Sequence, residues 1–126
     1  MMNYNKLVLQ HFFNPQHVGV FAADEAVFIG RAGKHGASDQ LQIHLVIGDD
    51  TIIAARFKAY GNPYTIAAGS LLMEKITGLS LEEASNIKYK FLADILEIPQ
   101  ISLYSALLAE DALTSAVEKY KQEYLV

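Results

Sequence analysis

The chain has 126 residues, 52% hydrophobic and 19% charged, a balance that excludes intrinsic disorder and suits one domain burying roughly two-thirds of its unfolded surface. Its formal net charge of -4, with ten Lys and Arg against fourteen Asp and Glu, argues against a nucleic-acid partner, which needs a basic surface to neutralise phosphates. No apolar run approaches the roughly 20 residues that span a bilayer, and no secretory leader opens the chain, so a cytoplasmic protein with no membrane partner is the expectation.

Leu7, Val8 and Phe12, with His11 among them, suit one face of a short helix over residues 4–13, which Asn14-Pro15 ends. Residues 28–35 begin as a strand and dissolve into Gly30-Arg31-Ala32-Gly33-Lys34-His35-Gly36-Ala37, a Gly-rich stretch that reads as an exposed loop. Leu41, Ile43 and Leu45 then alternate with Gln42, His44 and Val46. Gly48-Asp49-Asp50 supplies turn chemistry, and residues 51–60 return rich in Ile, Phe and Tyr, which predicts a hairpin.

After Gly61-Asn62-Pro63 the period becomes helical. Pro63 suits a first turn and Gly78 the residue past a helix end, while Ala67, Ala68, Gly69 and Ser70 are small enough for another element to approach closely. Ser80-Leu81-Glu82-Glu83 reads as a capping box that opens another helix, and residues 91–97 form a further one stopped ahead of Pro99. Ser102 is placed to cap a long helix to about Tyr124, with Leu103, Leu107, Leu113, Val117 and Tyr120 on one side. Strands first and helices afterwards predict an α+β fold with helices packed on one face of an antiparallel sheet.

Little in this pattern points to catalysis. His11, His17 and His44 are scattered without metal-protease spacing, residues 30–36 lack the order of a phosphate loop, and Ser105 has no nucleophile elbow around it. Glu110 is the odd polar residue of the last helix, falling near Leu103 and Val117 on its apolar side at about 100° per residue.

Several segments, in order, carry a resemblance: Asn14-Pro15, Val18-Gly19-Val20-Phe21, Leu41-Gln42-Ile43, Ala55-Arg56-Phe57-Lys58-Ala59-Tyr60-Gly61, Gly78-Leu79-Ser80-Leu81-Glu82-Glu83-Ala84 and Leu108-Ala109-Glu110-Asp111-Ala112. Together they resemble the IscU/NifU-like iron-sulfur scaffold family over nearly the whole chain. The resemblance implies a single NifU-like N-terminal domain over 1–126, with the SufE/NifU-type fold and its three-stranded antiparallel sheet. It also implies that the site is degenerate, because the family holds iron through thiolates and this chain has no cysteine. His35 stands at the family's first cysteine, with Lys34 the alternative because the loop is one residue longer, and Ala37 stands at its aspartate. Asn62 follows Tyr-Gly where the second cysteine belongs, and Tyr104-Ser105 replaces a His-Cys pair. The family's chaperone-recognition segment is matched by Ile98-Pro99-Gln100-Ile101-Ser102, which lacks its lysine.

These replacements lead to the expectation of a non-enzymatic, partner-binding or regulatory paralogue that carries no iron-sulfur cluster. Its implied partners are a cysteine desulfurase or other iron-sulfur assembly proteins. The alternative is a repurposed pocket holding zinc, iron or a small molecule through His35, completed by Asp39 or Glu110, since His35 is the one good transition-metal ligand among the replacements.

Overall fold

The computed structural model describes residues 4–23, 26–33 and 36–124. Helix α1 (Lys6–Phe13) is capped by Asn5, whose side chain accepts the Val8 N–H. Strands β1 (Val27–Ala32), β2 (Gln40–Gly48) and β3 (Thr51–Tyr60) follow. These form one antiparallel sheet in the order β1-β2-β3. Helices α2 (Pro63–Ile76), α3 (Leu81–Ser85), α4 (Tyr89–Leu96) and α5 (Leu103–Tyr124) follow, with a 3-10 turn over Gln100–Ser102 just before α5.

The hairpin turns on Asp49 and Asp50, both left-handed at φ 51° and 56°, as a two-residue connection twisting with its strands requires. Along β2 the residues Leu41, Ile43, Leu45 and Ile47 face inward and are buried. The outer edge of β3 is occupied at both ends. Ile52 exchanges backbone bonds with Gly78 and Leu79, and Phe57 with His17 and Gly19, so little of that edge stays open for another strand. The capping box expected at Ser80 forms in both directions with Glu83.

The structure corrects four details. The strand continues through Gly30, Arg31 and Ala32, which pair with Ile43, Gln42 and Leu41, instead of dissolving there. Gly30 is a glycine because α5 lies directly on it: a Cβ at this position would overlap the carbonyl of Ala112 and fall 2.5 Å from the Ala116 nitrogen. Helix α4 starts at Tyr89, earlier than residue 91, because the Glu110 carboxylate receives the Tyr89 N–H at 2.7 Å. Ser102 lies in the 3-10 turn before α5. Finally, α5 packs through Ala106, Ala109, Ala112 and Ala116, all fully buried, while Leu107 is exposed; close approach to the sheet selects the smallest side chains.

Candidate functional site

Five polar side chains meet where β2 begins, β3 ends and α2 and α5 start: Asp39, Asn62, Thr65, Tyr104 and Ser105. Asn62 is the N-cap of α2. Its Oδ1 accepts the N–H groups of Tyr64 at 2.8 Å and Thr65 at 3.3 Å, as cap residues do. Its Nδ2 donates to Tyr104 Oη at 3.2 Å, with Asp39 Oδ1 and Ser105 Oγ each 3.4 Å away. One side chain thus starts a helix and ties that helix to α5.

Asp39 is the common acceptor. Its Oδ1 takes the Asn62 N–H and the Thr65 hydroxyl, both at 3.0 Å, and its Oδ2 takes the Tyr104 hydroxyl at 2.6 Å and the Ser38 hydroxyl at 3.4 Å. Thr65 also bonds Ser105 Oγ at 2.9 Å, and both of these residues are fully buried. Gly61, at φ 148°, leaves room for the carboxylate, which any Cβ there would overlap. A negative group against the α2 N-terminus is also favoured by the helix dipole.

Burial pushes the Asp39 carboxyl up. Hydrogen bonds from Tyr104, the Asn62 N–H, Thr65 and Ser38 outweigh it and leave the group below its ordinary value. The same bond, followed by burial and the Asp39 charge, raises the Tyr104 phenol, which therefore stays a donor at neutral pH. Two histidines elsewhere are lowered. His11 is buried against Ser70, its Nδ1 2.6 Å from the hydroxyl; burial dominates over the opposing charge of Glu74. His44 is lowered by burial first and then by Arg31 and Lys58.

The shifts of Asp39, His11 and His44 share one sign. Each group binds protons more weakly folded than unfolded, so the unfolded chain takes up more protons as the pH falls. Stability should therefore decline on acidification from about pH 6.5 through the histidines and again from about pH 4 through Asp39. Denaturant midpoints measured between pH 7 and pH 3 check this. A midpoint that stays flat over that range contradicts it.

Of the residues singled out in the sequence, Asn62, Tyr104, Ser105 and Asp39 come together here. Ala37 is exposed nearby, its carbonyl accepting from Gln40 Nε2 at 3.0 Å. His35 and its alternative Lys34 lie outside the described residues. Glu110 is held on the N-terminus of α4 through Tyr89. In the segment 98–102, Ile98 and Ser102 are buried, whereas Pro99, Gln100 and Ile101 are exposed, Ile101 at 85%. Thr65 was missed by sequence reasoning; its signal was a β-branched hydroxyl in the first turn after an Asn-Pro cap. Among the described residues no three His, Asp or Glu side chains group so as to hold a metal ion. The converging donors are a carboxylate, an amide and three hydroxyls, which do not fit an iron-sulfur cluster, whose iron is ordinarily held by thiolates.

Residues 3–125 match the family model of the NifU-like N terminal domain. The iron-sulfur cluster assembly scaffold protein IscU of Escherichia coli is 39% identical over 124 residues, covering 97% of both chains. A nitrogen-fixing NifU-like protein (N-terminal) from Brucella abortus superposes with a TM-score of 0.75 at 17% identity, over 94% of each chain. A putative iron-sulfur cluster assembly scaffold protein for the SUF system from Fervidobacterium islandicum does so with a TM-score of 0.74 at 14% identity, over 90% of this chain and 96% of its own. This cysteine-free chain, with its three-stranded sheet and helices on one face, belongs to the family of NifU-like N-terminal domains.

Proposed function

We propose that this chain is a paralogue of the iron-sulfur assembly scaffolds that binds proteins of that machinery, carries no cluster and catalyses no reaction. The observation that carries the reading is the closed network around Asp39. Asn62, Tyr104 and Ser105, which the resemblance matches to ligand positions of the scaffold, bond one another, and both oxygens of the neighbouring Asp39 have donors. Asp39 and Glu110, the acids proposed as metal ligands with His35, are both engaged as structural acceptors, which favours partner binding over a metal-holding pocket.

The partner surface would include the exposed Pro99, Gln100 and Ile101. It continues onto α5 through Tyr104, 46% exposed, and Leu107, 39% exposed. Ile101, Tyr104 and Leu107, three large side chains spaced three residues apart, form the kind of exposed patch that marks a contact. The reading implies competition with a true scaffold for shared partners.

The test mixes the purified chain with the cysteine desulfurase of its own organism, iron and cysteine under reducing conditions. The two proteins are expected to co-elute and to give binding heat at micromolar concentrations, without persulfide on this chain and without visible cluster absorbance. A stoichiometric chromophore with matching iron and sulfide would sink the cluster-free reading. Absence of both heat and co-elution would remove the desulfurase as partner, and a large zinc-dependent rise in melting temperature would favour the metal-holding pocket.

A further inference from the structure

The charge of this chain is segregated. Strands β1, β2 and β3 contain Arg31, Arg56 and Lys58 and no Asp or Glu, so the rest carries the other seven cations and all fourteen acids. Both arginines of the chain are on the sheet. By strand alternation all three cations project from the face opposite the helices, since their neighbours Gly30, Ala32, Ala55, Phe57 and Ala59 alternate inward.

Arg56 is committed: it donates to the Val20 carbonyl at 2.9 Å and lies over the Phe21 ring at 4.4 Å. The side chains of Arg31 and Lys58 have no ion-pair or hydrogen-bond partner among the described residues. They flank Gln42 in a single cross-strand row, Arg31 opposite Gln42 and Gln42 opposite Lys58, which sets their backbones about 9.5 Å apart, two strand spacings. A hollow of about 300 Å³ opens there, lined by Arg31, Gln42, Lys58, Gln40 and Tyr60.

The floor of that hollow is oriented from behind. His44, 5% exposed, is the next residue on the same face, and its Nε2 lies 2.6 Å from Gln42 Oε1. A carbonyl oxygen accepts only, so His44 carries its proton on Nε2, and its buried Nδ1 has no partner among the described residues. Gln42 therefore turns its acceptor inward and keeps its amide N–H groups free of any partner among the described residues. Guanidinium, amide and ammonium present donors side by side with no acid in the row. Asp39, the nearest acid in sequence to the row's rim, points its oxygens at α2 and α5 instead.

We propose that this hollow is a binding seat for one small oxyanion, a phosphate or carboxylate group, held between Arg31 and Lys58 with the Gln42 amide beneath it. Donors to a negative group form the stronger class of hydrogen bond, and Arg offers a planar fork that matches two oxygens. Burial lowers the proton affinity of His44 first, and the charges of Arg31 and Lys58 lower it further. A net charge of -4 repels anions from the chain as a whole, so retention requires a local seat rather than a diffuse basic surface.

The test is an amide and side-chain NMR titration of the full chain with inorganic phosphate and, separately, with acetate, at ionic strength held constant with chloride. Saturable shifts are expected at Arg31, Gln42, Lys58 and the rim residue Tyr60, in the millimolar range or tighter. R31Q and K58Q should each weaken binding about tenfold, R31K should retain part of it, and the double variant R31Q/K58Q should abolish it while keeping a folded spectrum. A response to phosphate alone identifies the ligand as a phosphate, and a response to acetate alone as a carboxylate. Shifts that chloride reproduces, that never saturate, or that persist in the double variant overturn the proposal.

Discussion

Gly30→Val should destabilise the protein by about 3 kcal/mol or more, at the upper end of what overpacking costs. By β-propensity alone the substitution ought to help, since a mid-strand glycine is unfavourable and valine is a preferred strand residue. The tertiary structure reverses the sign. An added Cβ at residue 30 meets backbone atoms of α5 at Ala112 and Ala116, and a helix backbone cannot rotate aside as a side chain does. Relief requires α5 to lift from the sheet, which opens the seam lined by Ala109, Ala112 and Ala116, all 0% exposed. Urea unfolding reads the effect as a lowered midpoint. Gly48→Ala is the control: its added carbon meets only the flexible tip of Ile53, so its midpoint should move little. An unchanged or higher midpoint for Gly30→Val would show that α5 does not pack this closely.

Asp39→Ala should cost about 2 to 3 kcal/mol, in line with losing hydrogen bonds to a charged acceptor. It also removes the Asp39 contribution to the acidic limb of the pH dependence. The substitution leaves the Tyr104 hydroxyl and the Asn62 N–H without their acceptor, and it unties the start of β2 from the starts of α2 and α5. Asp39→Asn tests the charge separately. It retains one acceptor oxygen but turns an amide N–H₂ toward donors, so it should recover only part of the loss. Tyr104→Phe in the Asp39→Ala background should cost less than in the parent chain, because the two residues share a bond and their effects couple. Additive effects in that cycle would mean that the 2.6 Å contact contributes nothing to stability.

Much of the architecture was legible because it is written locally. Asn62-Pro63, Ser80 with Glu83 and Asp49-Asp50 are capping and turn signals whose partners lie within a few residues, so short-range chemistry places them. The alternation of Leu41, Ile43, Leu45 and Ile47 likewise reports its own buried face. The family resemblance was legible in runs of identity, and the loss of its thiolates in the absence of cysteine.

What only the tertiary structure decided depends on residues far apart in the chain. Gly30 reads as a loop glycine until α5, more than eighty residues later, is laid on it. Leu107 reads as core by helical periodicity, but the helix is turned so that alanines contact the sheet, because close approach outweighs the larger apolar area of a leucine. Asp39 reads as a candidate metal ligand from its distance along the chain to His35. Folded, its oxygens are filled by donors from residues 62, 65 and 104. Sequence alone determined that no thiolate is available to this protein; the packing of three distant segments decided that Asp39, Asn62, Tyr104 and Ser105 meet and bond one another, since a carboxylate drawn partly out of water is held where the chain supplies donors.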